Sequence, residues 1–399
     1  MSISLMKIID EYAGRIIMYF ISVFKKINGN KIINTEISNK NILFIKFWGI
    51  GSIILTTAAV RKVKATYPDA KIFFLTLNTN MEICKEIKCA DEIISINISN
   101  PFNFITDFYK KTFDLRKNNF DIIYDFEFYT YFSAIIVSLM KCKKSFGFDN
   151  LKNNRKIVFT QTIPFEDKIH TKDNFIHLVN TDESVLSGNY VNDELPSLSA
   201  ITSNANGGMK ITINVNASKL AYERRLPGEY YVKMTDFIAE HFSCKVILTG
   251  SDDEAEYVNN IYRQVKEKNH VDNLCGKTSV KELISVIKSS ACLITNDSGP
   301  LHIASALNIP VIAFFGPESP QRYGPLSCKS LVFYKHLECS PCMSVSNSKT
   351  VNCIYDSPKC MEQFDITDLI RKVNKFIREL KVPEKIKETK IQNLKRNQL

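Results

Sequence analysis

Two segments of the chain share one order: an apolar run, a short glycine-containing loop, a helix-forming stretch and a second apolar run. The first covers residues 41–77 and the second covers residues 291–315. Within each segment the apolar residues are continuous before the loop and then recur at helical spacing. A strand, a helix and a second strand in this order form a βαβ unit, whose two strands are parallel. The sequence therefore predicts an α/β fold built on parallel sheets.

The length of 399 residues is too great for one typical domain. An Asn-, Ser- and Gly-rich stretch at 188–208 separates the two βαβ regions and predicts a domain boundary. The predicted units are an N-terminal amphipathic helix with its linker (1–40), a first domain (41–200), a second domain (201–360) and a C-terminal helix with a charged tail (361–399).

The loop of the second βαβ unit has the composition of an anion site. Ser298 is a candidate N-cap, and Gly299 and Pro300 open the helix that follows. Free N–H groups at a helix N-terminus favour phosphate or diphosphate. Asp297 and His302 are close enough in sequence to flank this site, although an ordinary turn with a core-facing histidine fits the spacing equally well.

A longer pattern extends this loop, D-[ST]-G-P-x-H-x-A-x-A-L-x-x-P followed by F-G-P and Y-G-P. It resembles the donor-site motif of glycosyltransferase family 9, the lipopolysaccharide heptosyltransferases. The resemblance covers about residues 41–375. It implies a GT-B fold, with two Rossmann-like domains facing across a cleft and a C-terminal helix that crosses back onto the first domain. The motif residues implied to hold the donor are Asp297, Ser298, Gly299, Pro300, Leu301 and His302.

The resemblance also implies the reaction. An ADP-heptose donor would pass its sugar, with inversion, to a hydroxyl of a lipid-linked saccharide, and no metal would be required. Arg224 would neutralise the departing diphosphate, unless it is a surface residue at a helix entry. Glu254, or almost equally Asp253, would bind the ribose, and the turn with Gly276 and Thr278 would border the base.

The first loop departs from the family pattern at one position. Gly49 and Gly51 match the acceptor-side loop, but Ser52 stands where the family has an aspartate implied to be the general base. A serine hydroxyl is not a carboxylate base near neutral pH. Glu127, and less so Asp125, follow a predicted strand at 120–125 and are the candidate substitutes. The alternative is that both carboxylates only cap the next helix.

Two other functions fit parts of the sequence. A catalytically inactive nucleotide-sugar-binding relative would explain Ser52. An NAD-dependent oxidoreductase or epimerase would fit the strand–loop–helix pattern, but Ile54 stands where the third glycine of a dinucleotide fingerprint is expected.

Four of the eleven cysteines are clustered, namely Cys339, Cys342, Cys353 and Cys360. The first pair has the spacing of a zinc knuckle, whereas the second pair is wider than usual. No secretory signal is evident, so the thiols are expected to be reduced. A structural zinc site and free thiols both remain open.

The N-terminal segment 5–27 is apolar and basic. Its longest uncharged run, 16–24, is far shorter than the roughly 20 residues that span a bilayer. It predicts an amphipathic helix, either on the inner membrane face with Lys25 and Lys26 at the headgroups or packed on protein. The net charge of +10 suits nucleotide sugars, anionic membranes and nucleic acid equally. No nucleic-acid-binding motif occurs, so we expect no nucleic-acid partner. The expected location is the cytoplasm, and contact with the inner face of the inner membrane is one of the two alternatives for this helix.

Overall fold

The computed structural model describes residues 6, 8–28, 40–149, 154–188, 208–217, 221–327, 329–344, 347, 349–351 and 353–385. Most of the two predicted linkers and the tail after residue 385 therefore lie outside the described residues.

The first half of the chain forms a six-stranded parallel sheet. Its order is β3-β2-β1-β4-β5-β6, and every neighbouring pair is parallel. The strands are β1 (Asn41–Ile45), β2 (Lys71–Leu77), β3 (Glu92–Ile96), β4 (Phe120–Asp125), β5 (Cys142–Asp149) and β6 (Gln161–Pro164).

Helices cover both faces of this sheet. Alternate β1 residues point to opposite faces: Ile42 and Phe44 enter one core, and Leu43 and Ile45 enter the other. Helices α2 and α6 contribute to the first core, and α4 and α5 to the second. The helices are α1 (Arg15–Asn28), α2 (Ile50–Thr66), α3 (Met81–Ile87), α4 (Pro101–Arg116), α5 (Tyr131–Leu139), α6 (Thr171–Val179) and α7 (Glu183–Leu186). A π-helical turn, Asp10–Gly14, precedes α1.

The second half repeats this arrangement with a parallel sheet of order β12-β11-β10-β7-β8-β9. Its strands are β7 (Lys210–Asn214), β8 (Lys245–Thr249), β9 (Val271–Asn273), β10 (Cys292–Asn296), β11 (Val311–Phe315) and β12 (Ser330–Tyr334). Its helices are α8 (Gly228–His241), α9 (Ala255–Gln264), α10 (Val280–Lys288), α11 (Gly299–Ala306), α12 (Pro320–Tyr323), α13 (Lys359–Glu362) and α14 (Ile366–Glu379).

The C-terminal helix α14 packs on the second sheet. Its Leu369, Val373, Phe376 and Ile377 belong to the same core as the α8 side chains, and α14 contacts α8. The expected crossing onto the first domain is therefore wrong for residues 366–379, because the apolar stripe of this amphipathic helix is already buried on its own side.

The two halves meet through helices. Helix α2, which follows β1, packs against α11, which follows β10. Apolar residues of both helices, including Ile53, Ile54, Leu301 and Ala304, are fully buried in a single hydrophobic core. The two sheets are therefore joined by an apolar contact directly beside the loops that the sequence marked as a site.

Within the part of the chain that the structure describes, no helix has the length and apolar content needed to cross a membrane.

Candidate active site between the two sheets

The loop between β10 and α11 has the shape that the sequence predicts. Ser298 directly precedes the first residue of α11, Gly299, and Pro300 lies in the first turn. The predicted cap is wrong in one respect: Ser298 makes no side-chain cap hydrogen bond, and its Oγ lies 2.9 Å from Oγ1 of Thr295. Pro300 has no N–H, and the N–H of Leu301 donates to the Ser298 carbonyl at 3.2 Å. The group that this first turn offers to an anion is therefore the N–H of Gly299, in the positive end of the helix dipole.

Arg224 lies at the mouth of this helix N-terminus. Its Nη1 donates to Oδ2 of Asp297 at 2.8 Å, and both side chains are mostly buried. Asp297 is itself fixed, since its N–H donates to the carbonyl of Phe314 on β11. The structure thus brings together the cation and the carboxylate that the sequence assigned to the donor.

His302 connects the helices that follow the two loops. Its ring rests on Gly51, in the first turn of α2, so closely that a Cβ at residue 51 would lie 2.2 Å from Cδ2 of the imidazole. The imidazole is 3% exposed, and its Nδ1 has no hydrogen-bond partner among the described residues. Burial lowers the pKa of His302 from 6.5 to about 3, so the ring is neutral at physiological pH.

This burial predicts a pH dependence of stability. The unfolded chain binds a proton at His302 below about pH 6.5, whereas the folded chain binds it only near pH 3. His302 therefore lowers the free energy of unfolding as the pH falls below 6.5, by up to about 1.4 kcal/mol per pH unit.

Urea unfolding between about pH 5 and pH 6.5 measures the slope of the unfolding free energy against pH, and we expect this slope to be more positive in the wild type than in His302→Gln. Burial raises the pKa of Asp10 to about 6, which gives a slope of opposite sign, but both proteins share it. Equal slopes in the two proteins would contradict a buried neutral His302.

Asn296, at the end of β10, is a positioning residue that the sequence analysis missed. Its Oδ1 accepts from the N–H of Leu226 and the hydroxyl of Tyr231, and its Nδ2 donates to the carbonyls of Val215 and Asn216. The side chain is fully buried. It ties the segment that carries Arg224 to the ends of β7 and β10, so it sets where the cation stands.

Glu254 is held by two neighbours. Its Oε2 accepts from the N–H of Ser251, and its Oε1 lies 3.7 Å from Arg225. The Arg225 guanidinium stacks between the rings of Tyr222 and Tyr257, 4.3 and 4.5 Å from their centroids. Binding of ribose by Glu254 stays a prediction. These contacts of Arg225 could not be predicted from the sequence, because Tyr257 and Glu254 lie about 30 residues further along the chain.

The turn with Gly276 and Thr278 lies at the same edge of the sheet. The N–H of Gly276 donates to the carbonyl of Gly250, at the end of β8, and Thr278 is half-buried. A Cβ on Gly250 would lie 2.5 Å from Nδ2 of Asn216. The ends of β7, β8 and β9 therefore meet in one place, as the carboxyl ends of parallel strands do at a ligand site.

The first loop is clamped by Glu127. Oε1 of this carboxylate accepts from Lys46 Nζ at 2.9 Å and from the N–H groups of Phe47 and Trp48 at 2.7 and 3.0 Å. Glu127 is fully buried, and its Oε2 has no hydrogen-bond partner among the described residues. Gly49, with φ of 83°, takes the backbone into the left-handed region, and Ser52 is half-buried in the first turn of α2.

Asp125 has a different environment. Its Oδ2 accepts from Nη2 of Arg155 at 2.7 Å, both side chains are 0% exposed, and its Oδ1 accepts the N–H of Glu127. Burial raises the pKa of Asp125. Arg155 also donates to the carbonyl of Glu127. Asp125 is thus occupied in holding the turn that carries Glu127, and it does not fit the role of a general base.

The four clustered cysteines line one cavity of about 130 Å³, together with Glu223 and Lys359. Burial raises the pKa of Cys342, and that of Cys360 to about 12, which favours the neutral thiols. Among the described residues, no group of three or more His, Cys, Asp or Glu side chains is arranged to hold a metal ion. The cluster as described does not fit a preformed zinc site.

Two parallel six-stranded sheets, each flanked by helices, are the architecture of the GT-B class of glycosyltransferase fold, and solved structures of that class have a similar fold. A sequence-family comparison is more specific. Residues 109–351, more than half of the chain, match the model of glycosyltransferase family 9 (heptosyltransferase). The chain belongs to this family and is a glycosyltransferase, as the sequence predicted. Nothing in these comparisons supports an NAD-dependent oxidoreductase.

Among curated proteins, the chain is similar to lipooligosaccharide heptosyltransferase 2 of Campylobacter jejuni, with 25% identity over 85% of this chain and 98% of the relative. A protein of the same name from Haemophilus influenzae is 35% identical over 27% of this chain and 32% of its own length.

Two solved structures have a similar fold. A family 9 glycosyltransferase from Veillonella parvula has a TM-score of 0.68 at 18% identity, covering 85% of this chain and 97% of that one. Heptosyltransferase II of E. coli has a TM-score of 0.66 at 19% identity, covering 86% and 100%.

Proposed function

We propose that this glycosyltransferase moves heptose from ADP-heptose, with inversion, onto a lipid-linked saccharide of the lipopolysaccharide type at the cytoplasmic face of the inner membrane. The observation that carries the proposal is the meeting of three elements: the Arg224–Asp297 pair, the uncapped N-terminus of α11, and the glycine loop against His302. This arrangement supports a diphosphate held by groups of the second sheet and an acceptor held by the Gly49–Gly51 loop of the first.

The relatives support the choice of donor. The curated relatives are named heptosyltransferases, and an E. coli heptosyltransferase of similar fold was solved with ADP. In our proposal the diphosphate lies at the N-terminus of α11 with Arg224 beside it, Glu254 accepts from the ribose hydroxyls, and the base lies along the Gly276–Thr278 turn.

For the chemical step we propose Glu127 as the general base. An acceptor hydroxyl gives its proton to Oε2 of Glu127, its oxygen bonds to the anomeric carbon from the face opposite the diphosphate, and the carbon–diphosphate bond breaks to release ADP. Support comes from the buried, unpartnered Oε2, because an unsatisfied buried carboxylate oxygen calls for a functional explanation. Ser52 would orient the acceptor by hydrogen bonding, since its hydroxyl cannot replace a carboxylate.

Nucleotide-dependent stabilisation tests the donor. We expect ADP to raise the melting temperature more than UDP, GDP or NAD, because a ligand that binds only the folded state stabilises by about 2.7 kcal/mol at 100 times its Kd. ADP-heptose turnover on a truncated lipopolysaccharide acceptor should follow. Preference for UDP or GDP would contradict the donor, and a response to NAD alone would overturn the function.

Binding of ADP without turnover would favour the second candidate, a catalytically inactive relative, for which the specific observation is Ser52. Structural zinc at the four cysteines takes no part in this proposal. It stays a prediction that elemental analysis of the purified protein tests.

A further inference from the structure

Large apolar side chains are exposed mainly on two segments of the described chain. Nine lie on residues 8–24, and four lie on α4. Isolated exposed apolar residues are common, but a contiguous group of this size marks an interaction surface.

The N-terminal segment has one buried side and, opposite it, an exposed apolar side. Gly14, Met18 and Ser22, spaced by four residues, are buried against the protein. Ile16 and Phe20, also four residues apart, lie on the outer side, where Phe20 is 66% exposed. A helix at the surface of a globular protein normally carries polar residues on its outer side. The outer face of α1 is therefore exposed in this structure but has the apolar composition that is typical of a buried helix face.

Helix α4 carries a second stripe of the same kind. Phe102, Ile105, Tyr109 and Phe113 follow a spacing of three or four residues and are 53–75% exposed. This spacing places them on one face of the helix.

The same turn of the first domain holds both helices. Asp10, just before α1, accepts from the N–H groups of Tyr131 and Phe132 at 3.0 and 2.7 Å. On the other side, the Phe104 and Phe108 rings of α4 pack on the Phe132 ring, with centroids 5.1 and 5.3 Å apart. The two apolar stripes are therefore fixed relative to each other and to this turn.

That turn lies beside the acceptor loop. Tyr131 begins α5 only four residues after Glu127, whose carboxylate binds the backbone of Phe47 and Trp48. A partner that binds the two stripes would therefore lie close to the proposed acceptor site.

The surrounding charge indicates what covers the stripes. Between residues 101 and 117 the charged residues are two acidic, Asp107 and Asp114, and four basic: Lys110, Lys111, Arg116 and Lys117. Arg15, at the start of α1, is exposed but lies 3.9 Å from the exposed Glu11, so the excess of basic charge comes from α4 and its C-terminal end. Exposed aromatic side chains with basic neighbours suit the headgroup region of an anionic bilayer.

We propose that the outer faces of α1 and α4 form one surface that binds an anionic lipid bilayer and sets the acceptor loop at headgroup level. The choice of occupant rests on the proposed function, whose acceptor is lipid-linked. A bilayer presents such an acceptor at its surface, and both stripes are attached to the 131–132 turn that follows Glu127.

Vesicle co-sedimentation of the full chain tests this surface. We expect binding to phosphatidylcholine vesicles that contain about one third phosphatidylglycerol, weaker binding to phosphatidylcholine alone, and weaker binding at high salt. Phe20→Glu and Phe113→Glu should each reduce binding, and together by at least about tenfold. Leu186→Glu, on α7, is the matched control, because Leu186 is 62% exposed and lies on neither stripe.

Equal binding of the double variant and the wild type, or no binding to either vesicle, would overturn the proposal. So would a wild-type dimer that the same substitutions dissociate in light scattering, since the occupant would then be a second copy of the chain. Circular dichroism and melting temperature check that the variants fold.

Turnover separates this inference from the proposed function. With an acceptor saccharide released from its lipid, we expect equal rates for the wild type and the double variant. With the lipid-anchored saccharide in vesicles, the double variant should be slower. Absence of turnover on both acceptors would contradict the proposed function, and equal rates on the vesicle-bound acceptor would contradict the membrane surface.

Discussion

Arg224→Ala is expected to lower kcat for ADP-heptose by about 10²–10³, since the departing diphosphate would lose the cation that stabilises its developing charge. The expected loss of kcat is larger than the loss of one favourable contact alone would cause. Arg224 now neutralises Asp297 at 2.8 Å, so its removal leaves a carboxylate facing the incoming diphosphate. Steady-state kinetics at saturating donor measures the effect on kcat.

A double-mutant cycle separates the two contributions. Asp297→Asn in the Arg224→Ala background should recover part of the donor affinity, because it removes the uncompensated negative charge. Arg224→Lys should retain part of kcat, since lysine keeps the charge but loses the planar fork. Arg371→Ala, on the exposed face of α14 and paired with Asp368, is the control and should match the wild type. Unchanged kcat in Arg224→Ala would exclude this arginine from the chemical step.

Glu127→Gln is expected to impair both stability and turnover. Removing one partner of the fully buried Lys46–Glu127 pair leaves an uncompensated ammonium group and costs about 3–5 kcal/mol in the free energy of unfolding. Loss of a general base lowers turnover by about 10²–10⁴. Urea unfolding and turnover at equal folded fraction measure the two effects.

A second variant distinguishes the role of Glu127 as a general base from its role in holding the first loop. Lys46→Met with Glu127→Gln removes both charges, so it should recover most of the stability while turnover stays low. Recovery of turnover in this double variant would show that Glu127 only supports the loop. Glu92→Gln, in the exposed Lys71–Glu92 pair between β2 and β3, is the matched control and should cost less than about 1 kcal/mol.

The buried strands could be predicted from the sequence because each is a short apolar run that ends at a polar loop. This holds for β1, β2, β4, β10 and β11. The edge strands β6 and β9 could not be predicted, because one is half-exposed and the other has three residues. A strand that pairs on one side only needs no continuous apolar run.

The positions of the site residues could be predicted to a greater extent than their contacts. The family motif marked Arg224 and Asp297, and the structure brings them together although 73 residues separate them. Nothing in the local sequence indicates that Lys46 pairs with Glu127, 81 residues away, or that Asp10 binds the start of α5. Such pairs arise from the packing of whole helices and strands against one another. Helical and strand periodicity in the sequence report only local structure and do not predict this packing.

The helix contact between α2 and α11 constrains how this enzyme can be recombined with its relatives. Each helix completes the hydrophobic core of the other half, with side chains such as Ile54 and Leu301 fully buried there. A chimera that takes its N-terminal half from one family member and its C-terminal half from another would pair surfaces that did not evolve together. Exchange of donor specificity between relatives should therefore succeed when the recipient keeps its own α11 interface and only the loops around Arg224 and Glu254 are transplanted.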